Sequence, residues 1–421
     1  MAEKAHDGLR GATGPIWRER LTSDLGNLRV ALDWFIAAEN ADAALSLASG
    51  MAWLWFINGD PVEGARWLGD ALGARGSRRA ELEATAQVWH GYFVCMAFGP
   101  AAPVLECETA VGALSTSQDR ARRADALLCF ATVLLRAQEF ARSLDVLREA
   151  HDLLEPAVHG WRLALHDWLV AENLALLGHF ADAEPAARAS VERFNAEGEV
   201  WSSVGPLNIL AGIAESRGDL DGASATYEAL LERCRAAGQR NFMFFSLQRL
   251  AALRAKQGDD AVADKLYEEL VASNFNPLVS FDSMVGQAVV ARRLGDLARA
   301  RALLEAAGSY YRSIGLPAGQ TGVLAGLAWW ALSAGKADEA LACATEATQV
   351  ASASGDPVIQ RLADTALAAV RALGDPTRLN IETFLALAQQ AAQGLPYRSH
   401  TTLTDRADVA ALAAKLAPSA C

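Results

Sequence analysis

The chain has 421 residues, 52% hydrophobic and 21% charged, and 38 Lys and Arg against 50 Asp and Glu give a net charge of −12. That composition excludes a disordered or low-complexity chain and leaves room for two or three domains or one elongated array. A chain this acidic is repelled by phosphate backbones, which disfavours nucleic acid as a direct partner.

The N-terminus, MAEKAHDGLRGATG, is polar and lacks the apolar core of a signal peptide. Its GLRGATG stretch has neither a preceding strand nor the lysine of a phosphate-binding loop. The segment Ser23 to Glu39 is predicted to form a capping helix, so residues 1–39 read as an N-terminal segment.

From residue 40 to 373 the chain repeats. Helix–turn–helix junctions are expected at Gly59-Asp60, Gly99-Pro100, Gln138-Glu139, Gly178-His179, Gly218-Asp219, Gly258-Asp259, Gly295-Asp296 and Gly335-Lys336, spaced by 37 to 40 residues, with Gly374-Asp375 following. Such a period is the signature of a solenoid. Seven residues before the turns stand Ala52, Tyr92, Ala131, Ala171, Ala211, Ala251, Ala288 and Ala328, and five after them stand Gly64, Val104, Ser143, Ala183, Ala223, Ala263, Ala300 and Ala340. Small residues at fixed points on two successive helices let their backbones approach closely.

The first junction, MAWLWFINGDP, shows the expected chemistry. Gly59 suits the left-handed end of one helix, Asp60 its successor's N-cap, Pro61 the first position and Glu63 a capping box. Between junctions apolar residues recur at three- and four-residue steps, and no strand-like alternation stands out, so the chain reads as all-α. Leu379 to Gln393 and Thr404 to Leu416, within residues 374–421, are expected to cap the C-terminal end.

This phase resembles the tetratricopeptide repeat (TPR), with its small residue, turn glycine and alanine at matching offsets, although the spacing exceeds the usual period of about 34. Tyr92 and Val104 depart from the pattern. The resemblance implies a right-handed α-solenoid of about eight helix pairs. Asn27-Leu28-Arg29, Ala31-Leu32-Asp33-Trp34, the helix bearing Trp53 and Trp55, Glu63-Gly64 and Trp67-Leu68 give a narrower likeness. They resemble the segment that follows the ATPase module in bacterial LuxR-type (maltose-activator-like) and SARP-type signal-transduction regulators. The chain has no GxxxxGK[ST] loop, and Leu403 to Ala417 is only a partial helix-turn-helix, so ATP hydrolysis and DNA binding do not carry over. What the resemblance implies is a sensor array for a ligand or partner.

In TPR proteins the first helix of each pair lines a groove, at sites ten, six and three residues before the turn. Mapped here, the ligand- or partner-binding candidates are Trp53, Phe56, Trp89, Phe93, Trp168, Glu172, Asn208, Glu215, Gln248 and Trp329. The N-terminal part of this face is aromatic and the centre polar, as a peptide or small-molecule site requires. The same rings also fit packing between helices. Trp55 falls with Ala52 on the packing face. Glu172, one turn after Trp168, fits either a ligand anchor or an exposed acid.

Other clusters read as structural. His151, His159, His166 and His179 lack zinc-site spacing, and His166-Asp167 are adjacent and expected to diverge. Arg240 to Lys256 reads as an amphipathic helix burying its phenylalanines, and Asp119 to Asp125 as a solvated turn. Cys95, Cys107, Cys129, Cys234, Cys343 and Cys421 lack CxxC spacing and fit thiols in a reducing compartment. The longest apolar stretch, Gly322 to Gly335, is too short to span a membrane. The expectation is a cytoplasmic, non-catalytic regulator without metal or cofactor that takes a protein segment, peptide or small molecule. The alternatives are a self-resistance protein sequestering an apolar natural product, or an enzyme acting on a molecule enclosed by the solenoid.

Overall fold

The expected left-handed turn ends are present where the chain reverses: Gly178, Gly218, Gly258, Gly295 and Gly335 have φ between +72° and +88°. In the computed structural model of the protein, the described residues are 8–387, 409 and 412–413, less 59, 99–103, 157, 200–201, 237–239, 273–276, 355–356, 376 and 378–379. Gly59 and Gly99 therefore lie outside the described residues. Gly374 ends its helix without a positive φ, so no left-handed turn follows there.

Gln138 takes the glycine role at the third junction with φ +64°. A side chain in the left-handed region costs about 1–2 kcal/mol. Gln138→Gly is therefore expected to raise the unfolding free energy by about 0.5–1 kcal/mol, once the extra unfolded-state freedom of glycine is counted, as read by urea denaturation.

All regular structure among the described residues is helical. After a short turn at Gly11–Thr13 come α1 (Gly14–Ser23) and α2 (Leu25–Ala37). Helix pairs follow: α3 (Ala41–Asn58) with α4 (Pro61–Gly73), α5 (Ala80–Phe98) with α6 (Val104–Leu114), α7 (Arg120–Arg136) with α8 (Phe140–Asp152), and α9 (Gly160–Leu176) with α10 (Phe180–Ala196). Next are α11 (Val204–Ser216), α12 (Leu220–Ala236), α13 (Arg240–Lys256), α14 (Asp260–Ala272), α15 (Pro277–Arg293), α16 (Leu297–Ser313), α17 (Pro317–Ser333), α18 (Ala337–Ser354) and α19 (Pro357–Gly374). No described helix is long and apolar enough to cross a membrane.

The chain divides into two compact units. Unit 1 holds Met1–Asp219 with Ala229–Met243, and unit 2 holds Leu220–Glu228 with Phe244–Cys421. The phased small residues are what pack each pair. Ala52, Ala131, Ala171, Ala251, Ala183, Ala223, Ala263, Ala300 and Ala340 have no exposed surface. At Gly64 an added Cβ would stand 2.9 Å from the Phe93 ring. Ser143 fills its small position with a hydroxyl that donates to the Ala131 carbonyl at 2.9 Å and accepts from Asn173 Nδ2 at 3.1 Å.

Local capping follows the expected logic in part. Asp119 and Asp296 accept from the amides of Arg122 and Arg299 at 2.9 and 3.0 Å. Pro61 opens α4 as expected, but Asp60 makes no side-chain capping bond there, and Glu63 forms no capping box. Tertiary structure claims Glu63 instead: Arg29 of α2 donates to both its oxygens at 2.7 Å, and Trp67 Nε1 adds a bond at 3.1 Å. That Arg29 hydrogen bonding holds the Glu63 carboxyl below the usual range. The predicted capping helix is α2, which buries Leu28 and Leu32 against the first pair.

At the other end, residues 380–387 are helical, and Ile381 and Phe384 are buried beside Trp329 and Ala369. Most of the two expected C-terminal capping segments lies outside the described residues. Among the described residues Cys95, Cys107, Cys129, Cys234 and Cys343 are free thiols, and burial pushes Cys95 and Cys234 up to about 11 and Cys107 to about 12.

Candidate functional site

In unit 1 the aromatic candidates converge. Trp53 of α3 stacks on Phe56 with centroids 4.5 Å apart and meets Trp161 of α9 edge-on at 4.8 Å. Trp89 of α5 lies 6.5 Å from Trp53 and stacks on Phe93 at 6.0 Å. Burial is nearly complete: Trp53 keeps 4% of its surface, Trp89 5% and Phe93 1%. Phe93 lies over the Gly64 backbone and meets Trp55 edge-on at 6.3 Å, so it packs between helix pairs. Trp55 is 1% exposed, in the core where the sequence puts it.

Phe56 and Trp168 are half-buried and share one apolar cluster with Val204, Leu230 and Cys234. The face is thus drawn tight around its aromatic rings. Trp168 lies flat on α11, where a Cβ at Gly205 would come within 2.2 Å of the ring. Glu172 is half-buried and accepts from Arg136 Nη2 at 3.0 Å, joining α9 to α7. Asn208 is buried and bonds back to the Val204 carbonyl at 2.9 Å, and Glu215 is buried at the end of the same helix.

Gln248 and Trp329 belong to unit 2. Trp329 packs with Phe384 and Ala369. Gln248 is buried and donates to Asp282 Oδ2 of α15 at 2.7 Å. Burial pushes the Asp282 carboxyl up to about 7, with the Gln248 bond and the Arg249 charge opposing it. A carboxyl whose folded value exceeds its unfolded one is uncharged in the fold at low pH, and ionising it costs stability as pH rises from about 4 to about 7. Asp282→Asn is therefore expected to raise the melting temperature at pH 8 and to change it little at pH 4.

Beside the rings lies a cavity of about 500 Å³, whose lining includes Ser49, Trp89, Arg122, Asp125, Cys129 and Arg162. The Ser49 hydroxyl is buried without a hydrogen-bond partner. At its edge, Arg162 grips Asp125 through Nε at 2.8 Å and Nη2 at 2.9 Å, and Arg10 Nη1 reaches the same carboxylate at 3.2 Å. The Arg10 guanidinium sits 4.5 Å from the Trp161 ring centroid and 5.6 Å from that of Trp53.

These placements correct two readings. Asp119 to Asp125 is no solvated turn: Arg120 opens α7, and Asp125 is carried inward to the arginines. The GLRGATG stretch docks on unit 1 through Arg10, which reaches Asp125, and the Gly11 amide, which donates to Glu199. His166 and Asp167 do meet, with Nδ1 and Oδ1 3.0 Å apart. Arg193 Nε holds the other Asp167 oxygen at 2.9 Å. Within Arg240 to Lys256, Phe244 is buried as expected, and Arg249 is buried with it.

Asp125, Trp161 and Arg162 were not singled out by the ten-six-three spacing. One turn further toward the helix N-termini, the same register reaches Ser46, Thr85 and Asp125, all lining the cavity.

No family model matches the chain, and no curated protein matches it in sequence. Solved structures match its fold. A Rap protein complexed with Competence and Sporulation Factor is similar at 12% identity and TM-score 0.55, covering 89% of this chain and 99% of that one. The quorum sensor NprR from B. thuringiensis, in its apo form, is similar at 13% identity and TM-score 0.58, covering 82% and 98%. A Signal Transduction ATPase with Numerous Domains with a tetratricopeptide repeat sensor, from Pyrococcus horikoshii, is similar at 15% identity and TM-score 0.54, covering 82% of this chain and 52% of that chain. The fold is an all-α solenoid of TPR-like helix pairs.

Proposed function

We propose that the protein is a non-catalytic TPR-type regulator that binds a peptide or protein segment on the inner helices of unit 1. The observation that carries this reading is the cavity beside Trp89, polar at Ser49 and charged at Asp125 and Arg162. A peptide needs such a mixture, because its amides and side chains must be matched as its apolar groups are buried. The Rap protein complexed with Competence and Sporulation Factor and the quorum sensor NprR support it, since both share this fold. The resemblance of the N-terminal part to LuxR- and SARP-type regulators would give it a place in bacterial transcriptional or biosynthetic-pathway control.

Sequestration of an apolar natural product is less well supported. Trp53, Trp89 and Phe93 are already covered by protein, which leaves little ring surface to offer. Phe56, Trp168 and Glu172 are the candidates with accessible surface, and Trp168 and Glu172 flank the bound segment in this proposal.

Native mass spectrometry of freshly purified full-length protein is the test, paired with capture of cellular peptides and proteins. A retained peptide or a captured partner that is lost in Trp168→Ala or Glu172→Gln is the expected result. Absence of both from the native cell extract, or retention of an apolar small molecule instead, overturns the reading.

A further inference from the structure

The helices of unit 1 that bear Trp53, Asp125 and Trp161 already hold a peptide segment: the chain's own residues 9–12. Leu9 has no exposed surface, and the Arg10 side chain keeps only 7%. Arg10 lies between the Asp125 carboxylate and the faces of Trp53 and Trp161. The next two residues dock by backbone. Gly11 N donates to Glu199 Oε2 at 3.0 Å, and Ala12 N donates to the Glu197 carbonyl at 3.1 Å. Glu199, buried in the α10–α11 connection, is held in place by Trp161 Nε1 at 3.2 Å.

Shape fixes the sequence this site accepts. Gly11 has φ +69°, and a Cβ there would stand 3.0 Å from the Glu197 carbonyl oxygen. Gly198, also at φ +69°, leaves just enough room for the methyl of Ala12, 2.9 Å from where its own Cβ would be. The charges point the same way. Among Arg10, Arg162, Asp125 and Glu199 the sum is zero, so withdrawal of Arg10 leaves one negative charge facing two indole rings. Such a vacated box attracts a guanidinium by charge and cation–π attraction.

We propose that residues 9–12 are an intramolecular competitor, and that the site they occupy recognises a peptide with an apolar residue, arginine, glycine and a small residue in succession. The proposal rests on the peptide-binding reading above and names its ligand chemistry and its regulation. A tethered segment competes at an effective concentration in the millimolar range, so a free ligand must outbid it. Ligand binding then releases residues 9–12 from the face.

The probe is the acetylated pentapeptide Leu-Arg-Gly-Ala-Thr, titrated calorimetrically into the full-length chain. Arg10→Ala removes the competing side chain, and Gly11→Val undocks the backbone while leaving the receptor residues unchanged. Both variants are expected to bind the peptide at least tenfold more tightly than the unaltered chain. The peptide with Ala in place of Arg is expected to lose at least tenfold on each variant, and so is the parent peptide on Arg10→Ala carrying Asp125→Asn. Equal affinity for the unaltered chain and both variants overturns the competitor. No binding to variants whose helical circular dichroism matches the unaltered chain overturns the site. A cellular peptide still retained in native mass spectrometry would, in that case, leave the broader binding function standing.

Discussion

Asp125→Ala should lower the unfolding free energy by about 3–5 kcal/mol, the range for breaking a buried ion pair by removing one partner. Arg10, Arg162 and Asp125 keep only 7%, 15% and 13% of their side-chain surface, so solvent does little to replace the lost carboxylate. The loss comes from leaving two guanidinium groups buried beside each other. The companion measurement is a double-mutant cycle in urea with Arg10→Met. If the pair is coupled as the geometry indicates, Arg10→Met costs less in the Asp125→Ala background than in the unaltered chain, because it then removes a repulsion. Independent, additive effects would show that the Arg10–Asp125 contact carries no energy.

The second large effect belongs to Trp55. It is 1% exposed and meets Phe93, which itself lies over Gly64, where an added Cβ would stand 2.9 Å from the ring. Trp55→Ala should cost about 3–5 kcal/mol, from lost transfer energy and the cavity left behind. Equilibrium unfolding in urea reads this directly. The variant is expected to bind ligand unchanged below its unfolding midpoint. A loss of affinity with unaltered stability would move Trp55 from the core to the site.

Much of the fold was legible because it is written in short-range chemistry. Turn glycines, small residues seven before and five after them, and apolar steps of three and four are each read within a few residues. The buried alanines from Ala52 to Ala340 follow from that spacing alone. The proposed binding face was harder to read. Counting back ten, six and three residues located the aromatic stretch, but not how tightly Phe56 and Trp168 would be drawn onto a common cluster with Val204, Leu230 and Cys234. Asp125 was missed because its importance comes from residues far away in sequence, Arg10 being 115 positions off and Arg162 37. Glu63 shows the same limit at a cap: its spacing from Asp60 is right for a capping box, yet Arg29 from another helix takes both its oxygens. Local pattern decides where helices begin and end, whereas the partners of charged side chains are settled when helices meet.

The hydroxyl at Ser143 limits how this array can be rearranged. Positions of equal volume make most helix pairs similar building blocks, so in principle one period could be exchanged for another. The pair formed by α7 and α8 is different. Ser143 donates to the Ala131 carbonyl and accepts from Asn173, an amide side chain with no exposed surface in the following pair. An alanine-type block transplanted there would fit sterically but take away that acceptor, leaving Asn173 with its Leu169 carbonyl bond at 2.8 Å. The third and fourth pairs are therefore best grafted as one piece.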